Sequence, residues 1–313
     1  MRFKLMTGYK IFFSSLTALL ICSPVFATAY IKPVPDESLI GQLQYNTTGQ
    51  NDDITSIQKH YDVGYNALEN ANPHLDPTKM FPPAATVTIP TQHILPNQPR
   101  EGIVINLPEM RMYYYPPESD EVFTYPIGIG KIGKTIPITK TIITRKALDP
   151  IWVPPEDIRE FNLKQGIVLP HIMPAGPENP LGPYAIYMRI PTYLIHSTIY
   201  PESIGKRASF GCIRMYETDI KDFFPSVEKR MPVIIINNPI KIGWDNEHLF
   251  LEAHKPLKEH DSAYDASLPG TVNLINQESK NNLTLVDWQS IAFILEERDG
   301  IPHEIGLRIH SSS

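Results

Sequence analysis

Proline recurs about once in every ten residues of this chain, 31 times in 313, and that frequency limits what the chain can fold into. Inside a helix a proline removes a hydrogen bond and its ring clashes with the preceding turn. Long helices are therefore not expected outside 218–228 and 287–298. Strand-like runs appear instead from Gly102 onward: 102–107 (GIVINL), 111–116 (RMYYYP), 122–130 (VFTYPIGIG) and 141–146 (TIITRK). Tyr, Val, Ile and Thr dominate them, and Pro and Gly mark their turns. The expected fold is mainly β, of the α+β class. A chain that is 42% hydrophobic and 20% charged has room for one large domain and a small one.

The first thirty residues have a different texture. Arg2, Lys4 and Lys10 precede an apolar run from Ile11 to Cys22, then Pro24 and the small-residue pattern Val25, Ala27 and Ala29. This reads as a secretory signal peptide, residues 1–27, cut after Ala27 or after Ala29. The alternative, an uncleaved anchor, is disfavoured because a spanning helix needs about 20 apolar residues. Cys22 leaves with the signal and sits in no lipoprotein box, since Ile21 is large where a small residue is expected. Of the 28 Lys and Arg, 25 then remain against 34 Asp and Glu, a net −9, which argues against a nucleic-acid partner.

A polar lead-in (31–37) is followed by a compact unit, 40–92. Its strand-like runs Leu43–Tyr45 and Thr86–Ile89 flank short amphipathic helices at 53–61 and 66–71, with a turn at 72–77. Beyond 101–238, residues 239–313 form a C-terminal subdomain and tail. Two strand-like pieces (240–244, 248–253), a polar loop (about 255–267) and a helix-like stretch (287–298) lie there, and no chemistry is evident in them.

Export leaves Cys212 as a lone thiol, either buried and inert or reactive. Its neighbours favour the second. His196 ends an apolar run read as one strand (AIYMRIPTYLIH), a place where imidazole can face a cleft. A nucleophilic Cys needs such a base. Gly211 lets backbone approach a scissile carbonyl and its amides serve an oxyanion. Arg214, on the same side of an extended chain as Cys212, suits a substrate carboxylate. Ser209 and Ser197 can order the loop. Taken singly, His196 could be a plain strand-end residue, Arg214 a surface ion-pair partner and Ser209 a loop residue. The ten histidines show no metal-ligand spacing, His248, His254 and His260 being six apart, so no metal and no cofactor are expected.

Taken together, residues 196–215 (H-S-T-x-x-P-x-S-I-G-K-x-x-S-F-G-C-I-R-M) resemble the signature of the L,D-transpeptidase (YkuD) catalytic domain. PIGIGKIGKTIP (126–137), DPIWVPP (149–155) and PAGPENPLGPYAIYM (174–188) look like the family's cleft-shaping segments. The order of parts is similar to the Gram-negative periplasmic subgroup that includes enzymes attaching Braun's lipoprotein. The unit 40–92 resembles a βααβ LysM module through Ile54, Ile57, Tyr61, Leu68, Asn72, Pro73, Ile89 and Pro90. That family binds N-acetylglucosamine-containing glycan, the alternative here being a spacer that binds nothing. Two departures stand out. Phe210 occupies the position that is usually His, which makes it a candidate substrate contact, and Ile136-Pro137-Ile138-Thr139 lacks the Gly of the family's Thr-Pro-x-Gly turn.

The resemblance implies a YkuD-type β-sandwich at 101–238 with Cys212 as nucleophile and His196 as base. It further implies peptidoglycan stem peptides as substrate, a second stem, a lipoprotein Lys or water as acceptor, carbapenem-type inhibitors and a periplasmic location. Other readings are a peptidoglycan-binding protein with a weakened site, or a carboxypeptidase or amidase built on the same residues.

Overall fold

The structure is a computed structural model that describes residues 28–259, 265–279 and 283–309. The expected signal peptide (1–27), His260 and the tail 310–313 lie outside the described residues. In chain order, β1 (Thr28–Ile31), β2 (Leu39–Gly41) and β3 (Gln44–Thr47) lead to α1 (Ile54–Tyr61), α2 (Tyr65–Ala71), β4 (Thr86–Ile89) and β5 (Gln92–Ile94). There follow β6 (Gly102–Asn106), β7 (Arg111–Tyr115), β8 (Glu121–Pro126), β9 (Ile129–Gly130), β10 (Thr139–Leu148) and α3 (Glu156–Leu163). Next come β11 (Tyr184–Met188), β12 (Leu194–His196), β13 (Arg207–Ser209), β14 (Ile213–Arg214), α4 (Glu217–Phe223) and β15 (Pro232–Ile236). The last elements are β16 (Ile240–Asp245), β17 (His248–Ala253), α5 (Leu268–Ser279), β18 (Leu283–Val286), α6 (Trp288–Glu297) and β19 (His303–Ile309).

Nine strands form one mixed sheet in the order β1-β8-β7-β6-β15-β10-β11-β12-β14. Its corner is β10, whose residues Thr139–Ile142 pair with β15 and whose residues Ile143–Leu148 pair with β11, with a register break between Ile143 and Arg145. Such a bulge bends and twists a strand. Ile103, Ile105 and Met112 from one limb therefore share a core with Ile186, Met188, Ile195 and Ile213 from the other. Two separate stacked sheets were expected; the structure has two limbs of one strongly curled sheet. The parallel pair β6–β15 at its centre is buried on both faces. Ile103, Ile105, Val233 and Ile235 face the cleft-side core, while Val104, Ile234 and Ile236 face a second cluster with Tyr113, Tyr115 and Val122. That double burial explains runs such as VIII that do not alternate with polar residues.

The small N-terminal module matches the expected order of elements. β3 pairs antiparallel with β4, and Ile54, Ile57, Leu68, Val87 and Ile89 form its core. Asp53 and Ser56 close a capping box that starts α1. α2 has no side-chain cap; its first amides are satisfied by the large sheet domain instead. Tyr65 N–H donates to the Ile204 carbonyl at 3.2 Å and Asn66 N–H to that of Gly205 at 3.1 Å. Gly205, at φ +75°, lies so close that a Cβ there would overlap Gly64 and the Tyr65 nitrogen. At the same joint the buried carboxyls of Asp62 and Asp219 influence one another. Burial pushes Asp62 up to about 6 despite the opposing Arg111, and burial together with Asp62 raises Asp219 well above the usual range.

Two expectations need correction. The run AIYMRIPTYLIH is not one strand: Pro191 breaks it into the antiparallel hairpin β11–β12, with His196 still at a strand end. Residues 239–313 are richer than expected, with a four-stranded sheet (β16-β17-β19-β18) covered by α5 and α6. α5 lies outside the two stretches thought able to hold a long helix. Its proline, Pro269, falls in the first turn, where a missing N–H does no harm.

A buried ion network joins these parts. Lys241 Nζ on β16 lies 2.9 Å from Glu109 and 2.8 Å from Glu252, and donates to the Ile94 carbonyl at 2.7 Å and the Tyr113 hydroxyl at 3.1 Å. Glu252 also accepts from Ile94 N–H at 2.6 Å and meets His254 at 2.6 Å. Burial pushes the Glu109 carboxyl up, but Lys241, His254, Arg111 and the Tyr113 hydroxyl together hold it below its ordinary value. Replacing Lys241 with Met leaves two buried carboxylates without their central cation. Urea denaturation is expected to show a loss of about 3–5 kcal/mol, largely restored when Glu109→Gln and Glu252→Gln are added.

Candidate active site

Register in the second limb brings the candidate residues together. β12 runs parallel to β14 with Ile195 opposite Ile213 and His196 opposite Arg214. Because side chains alternate across a strand, Ile195 and Ile213 enter the core, where both are fully buried. His196 and Arg214 share the other face, with Cys212 one two-residue step behind Arg214.

His196 is buried, and its Nδ1 meets the Ser197 carbonyl. With Nδ1 donating to that carbonyl, Nε2 is the basic nitrogen. Burial pulls the imidazole down to about 4, the Arg214 guanidinium adds to this, and the Ser197 and Leu181 carbonyls oppose it. Ser197 is itself pinned, its hydroxyl donating to the Leu181 carbonyl at 2.9 Å and accepting from Tyr184 N–H at 3.1 Å. A backbone carbonyl, rather than a carboxylate, thus orients the candidate base.

Cys212 is partly exposed. Its Sγ lies 3.6 Å from the Thr192 carbonyl. Burial pushes the thiol above its ordinary value, with a Leu194 backbone hydrogen bond and Arg214 acting in the opposite direction. Thr192 has φ +71°. It follows Pro191 in a turn closed by Tyr193 N–H to the Ile190 carbonyl at 3.4 Å, a place that favours Gly or Asn over a β-branched residue.

The loop before Cys212 is cinched by Ser209, whose hydroxyl donates to the Cys212 carbonyl at 2.6 Å and accepts from Gly211 N–H at 3.0 Å. The Gly211 amide is therefore engaged, whereas the Cys212 N–H donates to no backbone carbonyl among the described residues. What requires glycine at 211 is space and φ +110°: a Cβ there would lie 2.5 Å from the Tyr193 ring and 3.0 Å from the Lys134 carbonyl. Arg214 is half-buried, with burial pulling its pKa down, and its Nε has no hydrogen-bond partner among the described residues. Phe210 packs edge to face on Phe161, and the Lys131 ammonium lies 3.6 Å from its ring centre.

Sequence reasoning missed Thr192, Lys131 and Phe161. Lys131 lies in a segment already marked as cleft-shaping, but Thr192 carries no turn signal and Phe161 lies on the unanticipated α3. Ile136, at the departure from the family's turn, is fully buried in the main core. His93, Glu109 and Glu252 bring possible ligand atoms within 4.8 Å of one another, yet the Lys241 ammonium already lies between the two carboxylates. A cavity of about 580 Å³ lined by Glu37, Arg100, Trp244 and Arg308 opens elsewhere and includes none of the candidate residues. No helix among the described residues is long and apolar enough to cross a membrane.

The family model for the L,D-transpeptidase catalytic domain (YkuD) matches residues 100–235. The chain is 38% identical to the probable L,D-transpeptidase YcfS of Escherichia coli K12, over 94% of this chain and 93% of that one. It is 37% identical to the probable L,D-transpeptidase ErfK/SrfK of Salmonella typhimurium, over 90% and 92%. Among solved structures, the NMR structure of the catalytic domain of the Enterococcus faecium L,D-transpeptidase covers 45% of this chain and 99% of its own at 23% identity. Its TM-score of 0.34 is too low to bear on the site.

Gly211→Ala forces a side chain into the Tyr193 ring at a φ that alanine rarely adopts. Labelling of Cys212 by a thiol reagent, compared with a control alkylation in urea, is expected to show a displaced loop, with a stability loss of roughly 1–3 kcal/mol.

Proposed function

Given that the chain belongs to the L,D-transpeptidase family, we propose that it acts on peptidoglycan tetrapeptide stems through a Cys212 thioacyl-enzyme. The observation that supports this most is the β12–β14 register, which sets His196 beside Arg214 and Cys212 on one face of the sheet. Neutral His196 takes the thiol proton as Sγ attacks the carbonyl of the third stem residue, a diaminopimelate. The C–N bond to D-Ala then breaks, the imidazolium returns its proton to the leaving amine, and a thioester remains. The Cys212 N–H donates to the developing oxyanion, and Arg214 offers its guanidinium to a stem carboxylate. An acceptor amine from a second stem or a lipoprotein Lys resolves the thioester, or water does.

The same proposal assigns residues 101–238 to the catalytic domain, 40–92 to a LysM-like module that holds glycan, and 239–313 to a C-terminal subdomain. Residues 1–27 are then an export signal and the protein works in the periplasm.

The test is intact-mass spectrometry. With a tetrapeptide muropeptide, D-Ala release is expected, and with a carbapenem a single adduct at Cys212; neither is expected for Cys212→Ala. Absence of both from the unaltered protein sinks the proposal. The resting pair has an imidazole with a low pKa and a thiol with a high one, so it is neutral rather than a thiolate–imidazolium pair. His196 serves as base only while unprotonated. The kcat/KM profile is therefore expected to hold across neutral pH and to fall only as the pH drops through about 4, whereas an ion-pair mechanism places the acid limb near the ordinary imidazole value.

A further inference from the structure

α3 has no buried residue, so burial in a core does not hold it. It is fastened by the turn that follows β9. Lys131 Nζ lies 3.5 Å from the centre of the Phe161 ring and 3.6 Å from that of Phe210. The two rings meet edge to face with centroids 5.0 Å apart. Three residues along the same turn, Lys134 Nζ pairs with Asp157 of α3 at 2.6 Å. This turn is also part of the Cys212 loop, because Lys131 N–H donates to the Ser209 carbonyl at 3.0 Å and the Lys134 carbonyl abuts Gly211.

We propose that Phe161, Lys131 and Phe210 form an aromatic–ammonium clasp that docks α3 as a cap beside Cys212, with Phe210 as a positioning residue that sets access of the peptide donor to the thiol. The proposal rests on the reading of Cys212 as nucleophile. A phenyl ring suits the place because its face attracts an ammonium through the ring quadrupole at any pH. An imidazole at 210 would repel Lys131 whenever protonated. The residue that departs from the family pattern thus takes no part in proton transfer. Its contacts are with the cap. Of the two fastenings, Lys134–Asp157 is exposed and weakened by salt, whereas the clasp sets two ring faces against one ammonium, although Phe161 itself stays partly open to solvent. Burial lowers the Lys131 pKa, in keeping with an ammonium partly withdrawn from water.

Hydrogen exchange of residues 156–163 in the purified protein tests this, with amides of β6 and β15 as internal control. Phe161→Ala and Phe210→Leu each remove one ring face from Lys131 and should speed α3 exchange by roughly three- to thirtyfold. The double variant should be little faster than either single one, and Phe210→Tyr should keep the protection. The KM for a tetrapeptide donor should shift in both single variants while the acid limb of kcat stays in place. Unchanged α3 exchange, additive effects in the double variant, or faster exchange with unaltered KM would each overturn the clasp. The exchange readout does not depend on catalysis. A failure of Cys212 to acylate would therefore sink the functional reading and leave the clasp to be judged by exchange alone.

Discussion

The architecture hinges on one ammonium ion held out of water. Lys241 lies among Glu109, Glu252, Tyr113 and the Ile94 carbonyl, where the large sheet, the segment leaving the N-terminal module and the C-terminal sheet converge. Two carboxylates cannot stay ionised in such a place without a cation, nor can the cation without them. The C-terminal sheet is consequently no appendage. It supplies the charge that permits Glu109 to be buried behind β6 and β7, the strands on which the main core is built.

At the other end of the sheet the electrostatics run the opposite way. Around Cys212 and His196, burial disfavours both charged forms, and the carbonyls of Ser197 and Thr192 hold the two groups by dipoles instead of ions. A neutral thiol is less open to oxidation than a standing thiolate, since thiolate character governs that reactivity. Under the proposed mechanism, reactivity is supplied only when a bound stem displaces water and the imidazole takes the proton. The strained Thr192 turn fits this arrangement, because it aims a carbonyl at Sγ that an unstrained backbone would direct elsewhere.

Local patterns in the chain foretold local structure well. The β-rich texture, the order of elements in the N-terminal module and the His196–Cys212 spacing are all short-range signals, and each element appears within a few residues of its expected place. Features that depend on distant partners were not legible. The bend at Ile143 that makes one sheet of two limbs depends on which strands flank β10. The Lys241 network joins residues more than a hundred positions apart. α3 has no buried face and so no period to read, and α5 is masked by Pro269 and Gly270 in its first turn. In the site, the sequence points to the Gly211 amide, which Ser209 takes, whereas what demands glycine there is the nearness of Tyr193 and Lys134. Phe210 was noticed as an oddity, and its partner Phe161 lay on a helix that no pattern announced.

The joint between the N-terminal module and the large sheet has a consequence for scale. Ile204 and Gly205, whose carbonyls cap α2, lie between His196 and Cys212, so the module is bonded to the same stretch of chain that carries the candidate residues. Two backbone hydrogen bonds and a glycine-on-glycine contact join them at short range. If the module holds glycan and Cys212 acts on side peptides, as proposed, the two work as the jaws of a caliper, and the repeat length of the polymer, as well as its chemistry, would decide which stems are reached.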